Sequence, residues 1–161
     1  MLSLKDRQKI RESYEQNMDW IIKEYPKRDP YAIFNWCAHF TPIEYNVWHD
    51  IRCLCLPMYP EFPVENYFID FADPVKKIGV EVDGKDWHKN IIKDRKRQNE
   101  LENLGWKIFR IPGVLTFSDR DSFFEDYKFG YDKEADYKKE KEFRNLCSEG
   151  ILQGIKDEHY S

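Results

Sequence analysis

An α/β core flanked by helices is the fold class this sequence predicts, on three observations. Apolar positions recur at helical spacing towards both ends of the chain. In the middle they switch to short β-prone runs, and the middle elements follow the order strand, strand, helix, strand. The length of 161 residues fits one domain with modest extensions, and five Trp, ten Tyr and eleven Phe argue against wholesale disorder.

Over residues 3–25, Ser3 is a natural N-cap. Ile10, Tyr14, Met18, Ile21 and Ile22 give the helix its apolar marks before Pro26 ends it. Asp29-Pro30 opens a short apolar segment, YAIFNWCAHF, that reads as a second helix. Thr41-Pro42 followed by Glu44 is a third start signal, with Val47, Ile51 and Leu54 as the buried stripe. Pro57, Pro60 and Pro63 then read as a rigid loop. Tyr67–Phe71 and Ile78–Asp83 are β-prone, joined by a hairpin turn through Asp73-Pro74 and Lys76-Lys77. A helix follows from about Lys93 to Leu104, anchored by Leu101 and Leu104 and ended by Gly105. Trp106–Ile111 is a third strand, stopped by Pro112-Gly113. Ser118 or Asp119 caps a further helix. The tail from Asp132 is a charged helix marked by Tyr137, Phe143, Leu146 and Ile151. The expected division is a helical extension over 1–40, a core over 41–117 and a helical extension over 118–161.

With 26 Lys and Arg against 30 Asp and Glu, the net charge is −4. That balance counts against a protein that coats nucleic acid, because such affinity comes from neutralising phosphates. The distribution is uneven, however. The stretch KDWHKNIIKDRKR, residues 85–97, sets six Lys or Arg against two Asp. No run reaches the roughly 18 apolar residues of a membrane helix. The start has no secretory character, and Cys37, Cys53, Cys55 and Cys147 then read as reduced thiols. A cytoplasmic protein without membrane contact is the expectation.

The chemistry gathers in the strands. Alternation puts Gly79, Glu81 and Asp83 on one face and Ile78, Val80 and Val82 on the other. The apolar set packs, while the acids must meet water, a cation or a metal. Glu81 and Asp83 alone suit a solvent-facing edge strand. Asp70 on the neighbouring strand brings a third carboxylate within reach, and such a cluster repels itself unless a cation joins it. Oxygen-only ligands suit Mg²⁺ or Mn²⁺. A hard cation beside a basic stretch fits phosphodiester hydrolysis.

The ordered set is more specific than any of its parts: the helix start TPIEYNVWHDIR, Tyr67-Phe-Ile-Asp70, Glu81-Val-Asp83-Gly84, His88 and DRKRQNELENLGWKIFRI. Over roughly residues 41–112 it resembles the small endonucleases akin to very-short-patch repair enzymes, within the PD-(D/E)XK superfamily. The resemblance implies a restriction-endonuclease-like mixed sheet of about four strands with helices on both faces, and helical N- and C-terminal extensions. It implies Asp70, Glu81 and the Val82 carbonyl as ligands of Mg²⁺ or Mn²⁺, with Asp83 assisting where the superfamily usually has lysine. His88 would position or deprotonate water, and Glu44 would reach the metal directly or through water. Lys85, Trp87, Lys89, Lys93 and Arg97 would contact nucleic acid, DNA ahead of RNA.

Blander readings stand beside these. Glu44 suits the first turn of any helix. Arg97 or Gln98 can point inward to the acids, and a pair between Arg97 and Asp94 is the structural alternative. The lysines suit a solvated face. Cys37, His39, His49, Cys53 and Cys55 invite zinc, yet no Cys-x₂-Cys pair exists and free cysteine is common in cores. Trp36, Trp48 and Trp106 read as core. The competing function is a catalytically silent nuclease fold that binds nucleic acid or protein. The terminal helices would serve a second copy or a protein partner.

Overall fold

The computed structural model describes residues 2–27, 29–83, 91–113, 116 and 148–160. The expected helix after Ser118 and the tail before Ser148 lie outside them. Four strands form one mixed sheet in spatial order β1 (Tyr59–Val64), β2 (Tyr67–Asp73), β3 (Ile78–Asp83) and β4 (Lys107–Pro112). The first two pairings are antiparallel; β3 and β4 run parallel, joined by a crossover containing α3 (Ile91–Asn103). Helices pack on both faces, as the sequence predicts.

Helix α1 (Leu4–Glu24) starts on a capping box, in which Ser3 Oγ accepts the Asp6 N–H and the Asp6 carboxylate accepts the Ser3 N–H. Its Ile10, Tyr14 and Ile21 join Trp36, Phe62, Ile69, Leu101 and Trp106 in the core on one side of the sheet. On the other side α2 (Pro42–Cys53) and α4 (Ser148–His159) bring Val47, Trp48, Ile51, Leu152 and Ile155 onto Phe71, Ile78, Val80 and Ile111. Each such side chain, fully buried, contributes about 1.5–3 kcal/mol. The three tryptophans read as core are buried. Gly79 is bare because a Cβ there would stand 2.6 Å from Ile108 Cδ1 and 2.9 Å from Ile69 Cγ2. Gly105, at φ +88°, ends α3 in the left-handed conformation that glycine adopts without strain.

Several expectations are corrected. The Pro57–Pro63 stretch is not simply a loop: β1 lies within it. Proline survives there because among the described residues β1 is an edge strand, paired only with β2, so that a missing N–H need not break a ladder. Tyr59 and Phe62 reach the same core although strict alternation would separate them, and between them Glu61 has a left-handed backbone, φ +46°. The segment after Asp29 is two short 3₁₀ turns, Pro30–Ala32 and Trp36–Ala38, rather than a helix. The buried indole Nε1–H of Trp36 donates to Pro30 O at 3.1 Å, fixing the fold-back. Ile22 lies about 100° round α1 from Ile21 and is exposed, and Leu104, beyond the last turn of α3, is also exposed. Cys37, Cys53 and Cys55 are exposed rather than core residues.

Asp73 is a buried carboxylate with a full set of donors. Tyr25 and Tyr160 hydroxyls each reach it at 2.7 Å, and the Val75 and Lys76 N–H groups at 2.8 and 3.0 Å. It ties the end of α1, the β2–β3 turn and the C-terminal segment together. Among the described residues no helix is long and apolar enough to cross a membrane.

Candidate functional site

The β2–β3 ladder pairs Asp73 with Ile78, Ala72 with Gly79 and Phe71 with Val80, and then stops. At the next position the Asp70 carboxylate accepts the Val82 N–H at 2.7 Å, a side chain taking the place of a backbone partner. Meanwhile β2 stays paired with β1 as far as Tyr67, and β3 with β4 as far as Asp83. The sheet therefore loosens between Asp70 and Val82. A cavity of about 420 Å³ there is lined by Glu44, Glu61, Asp70, Glu81 and Arg97 among others.

Three carboxylates from three elements meet in this cavity. Glu44 on α2, Glu61 on β1 and Asp70 on β2 each offer an oxygen within 4.8 Å of the other two. Glu61 stands opposite Asp70 in the β1–β2 register, between the Pro60–Phe71 and Phe62–Ile69 pairs. Glu44 is fixed by its own helix: Thr41 N–H donates to Glu44 Oε2 at 2.8 Å, and Thr41 Oγ1 accepts the Glu44 N–H at 3.4 Å. The capping role explains why an acid stands at this position; its nearness to Asp70 and Glu61 is additional.

Glu81 is buried beside Asp70, and its Oε1 accepts from Arg97 of α3. The same guanidinium nitrogen donates to Phe68 O at 2.7 Å, and the Arg97 Cζ lies over the Tyr67 ring, 5.7 Å from its centroid. Arg97 thus points inward and does not pair with Asp94. Asp83 lies on the same strand face but belongs to a second ion pair, in which Arg110 of β4 reaches Asp83 at 3.1 Å and Asp94 at 2.9 Å. Because β3 lies between two strands, its acids are not those of an exposed edge.

Burial raises the Asp70 carboxyl well above the usual carboxylate range, the Glu81 charge adds to it, and the Val82 N–H opposes it. Glu81 is raised by burial against the Arg97 charge, and Asp83 by burial against Arg110. Glu61 is pushed up to about 8, first by burial and then by Asp70 and Glu44. These groups hold their charge at neutral pH only at a cost that a proton or a cation removes. The donor set is all oxygen and partly buried, which fits a hard divalent cation.

A pH dependence follows from Glu61. Between the ordinary glutamate range and about 8, the folded chain binds a proton that the unfolded chain has lost. Stability must therefore fall as pH rises through that window. In EDTA the melting temperature should decline from about pH 5 to about pH 9, and Glu61→Gln should flatten the decline. Identical slopes in the two proteins would remove Glu61 from this account.

Of the other expected residues, Lys93 lies on α3, whereas Lys85, Trp87, His88 and Lys89 fall outside the described residues. Glu61 was missed in the sequence because it sits between Pro60 and Pro63. The available signal was a lone acid inside an otherwise apolar YPEFPV run. His49 and Cys53 come within 3.8 Å across one turn of α2, but no third ligand joins them among the described residues.

Comparison with known proteins adds one finding. The family model REase_MTES_1575, which describes a restriction endonuclease-like family, matches residues 44–127. No curated protein and no solved structure matches the chain. The matched segment is just over half of the chain and contains Glu44, Glu61, Asp70, Glu81 and Arg97. The chain belongs to this family of restriction endonuclease-like nucleases.

Proposed function

We propose that the protein is a divalent-metal-dependent endonuclease that hydrolyses phosphodiester bonds in DNA, of the kind found in very-short-patch-like repair enzymes, and that it works in the cytoplasm. The observation that carries this reading is the meeting of Glu44, Glu61 and Asp70 within 4.8 Å, beside buried Glu81, in a nuclease family. Asp70, Glu61 and Glu44 would hold Mg²⁺ or Mn²⁺, with Glu81 and the Val82 carbonyl as the further ligands that the resemblance implies. Such an ion supplies Lewis-acid stabilisation of charge on the scissile phosphate.

The chain's own groups supply position and charge balance. The Val82 N–H holds one oxygen of Asp70. Arg97, braced on Phe68 O, offsets the Glu81 charge so that the acids can stand together. Arg110 does the same for Asp83, where the superfamily usually has lysine. In this reading His88 orients water, and Lys85, Trp87, Lys89 and Lys93 grip the DNA strand.

Incubation with supercoiled plasmid, and with short labelled DNA and RNA oligomers, tests the proposal. Cleavage of DNA is expected with Mg²⁺ or Mn²⁺ and none in EDTA. Mn²⁺ should also raise the melting temperature by ligand linkage, about 2.7 kcal/mol at a hundredfold excess over the dissociation constant. Thermal stabilisation without cleavage of any substrate would replace the endonuclease with a silent binding module. Cleavage of RNA alone would change the substrate.

A further inference from the structure

The acidic cavity poses an electrostatic difficulty for any phosphodiester, and the chain carries an answer outside the family-matched segment. Four carboxylates line the cavity: Glu44, Glu61, Asp70 and Glu81. Arg97 is already engaged with Glu81 and Phe68 O. An anionic strand approaching this opening needs further positive charge at its edge. Helix α1, from the N-terminal part of the chain, supplies it.

Arg7 and Arg11 are one turn apart on α1, and both guanidinium groups lie over the ring of Phe68, 5.6 and 4.9 Å from its centroid. Phe68 directly follows Tyr67 and precedes the Asp70 site by two residues, and both Phe68 and Arg7 line the acidic cavity. Arg7 is close enough to Glu61 to lower its proton affinity. Among the described residues neither guanidinium forms an ion pair with a carboxylate, although Asp6, Glu12 and Glu15 lie on the same helix. Asp6 is occupied by the capping box, and Glu12 Oε1 accepts from Gln8 at 2.8 Å.

The ring contact leaves these two groups their donors. The contact of a guanidinium with a ring is made by its charge and not by a hydrogen bond, and among the described residues no acceptor takes the N–H donors of either group. A planar fork of donors is matched to phosphate oxygens. An ammonium in the same place would contribute charge without the fork. Phe68 thus holds two cations, neither ion-paired among the described residues, with Arg7 lining the acidic cleft and Arg11 one turn further along α1.

We propose that Arg7 and Arg11, held over the Phe68 ring, grip backbone phosphates of the DNA strand that enters the cleft holding Glu44, Glu61 and Asp70. The inference rests on the nuclease reading. It adds a binding element from α1 to the one expected over residues 85–97. These contacts go to phosphate and carry no base information.

Fluorescence anisotropy with a labelled DNA duplex, titrated with the full chain in EDTA so that nothing is cut, tests this. Each phosphate contact adds about 0.9 to the steepness with which log affinity falls against log salt. Arg7→Gln/Arg11→Gln should weaken binding about tenfold near 50 mM salt and make the slope shallower by about 2. In a parallel cleavage assay with Mn²⁺ the loss should appear in KM more than in kcat. Arg7→Lys/Arg11→Lys should restore most of the slope, which a merely structural role on the Phe68 ring would not predict. Unchanged affinity and slope in the folded glutamine variant, beside a wild-type chain that cuts DNA, would overturn the grip and leave the nuclease reading standing. A wild-type chain that neither binds nor cuts nucleic acid would overturn both.

Discussion

Asp70→Asn should lose cleavage by about a thousandfold or more and, in EDTA, melt higher than the wild type. The first arm follows from the position of Asp70. It is common to both acidic groupings, within 4.8 Å of Glu44 and Glu61 and next to Glu81. An amide there keeps the shape and still accepts the Val82 N–H, but it cannot balance a divalent cation. A thousandfold loss corresponds to about 4 kcal/mol of transition-state stabilisation. The second arm follows from the same facts with the ion removed. At a pH above about 8 the wild-type site holds several carboxylates whose burial and mutual repulsion oppose their charge. Removing one charge from that group should stabilise the fold by about 1 kcal/mol, or roughly 2–4 °C in a chain of this size. Mn²⁺ should then raise the melting temperature of the wild type far more than that of the variant. Scanning calorimetry with and without the ion, beside a plasmid assay, reads both arms. Wild-type cleavage by Asp70→Asn would remove the site; a fall in melting temperature in EDTA would mean that its charge is structurally satisfied.

This opposition between function and stability marks where the sequence was legible. Strand alternation correctly placed Gly79, Glu81 and Asp83 on one face and Ile78 and Val80 in the opposite core, because the period of a strand is a local property. The capping box at Thr41 and Glu44 was equally local. What could not be read locally was which cation meets which acid. Arg97 comes from α3 and Arg110 from β4, and their partners depend on how the crossover docks. Asp83 is therefore drawn to Arg110, which it shares with Asp94, while the third carboxylate near Asp70 and Glu44 is Glu61. Glu61 was hidden by a rule that is sound for central strands. Proline breaks a ladder that needs its N–H, but among the described residues β1 is paired along one edge alone. The register that sets Glu61 across from Asp70 exists only once that edge strand is admitted. The 3₁₀ turns after Asp29 were missed for a related reason. The Trp36 indole bonded to Pro30 O is a tertiary choice that overrides apolar spacing.

The largest stability loss is expected at Arg97. Arg97→Met keeps the length and apolar stem of the side chain but strips two acceptors of their donor, Glu81 Oε1 and Phe68 O. The Arg97 and Glu81 side chains are only 19% and 10% exposed, so water replaces little of what is lost. Breaking a buried pair by removing one partner costs about 3–5 kcal/mol, and partial exposure places this one near the lower end. The melting temperature should drop by roughly 6–12 °C. Glu81 in the variant can shed its charge by taking a proton, so the loss should shrink as pH is lowered. That sign is opposite to the one expected if Arg97 stabilised the chain only through its stem. Arg97→Met/Glu81→Met should recover most of the loss, because two apolar groups leave no buried charge behind. Urea unfolding of the single and double variants at two pH values measures the coupling. If the double variant is as unstable as the sum of the singles, Arg97 stabilises the fold through contacts other than Glu81, and its place is that of a packed helix residue. If the stability returns while cleavage does not, Glu81 carries a charge that the fold is better off without and that the reaction requires.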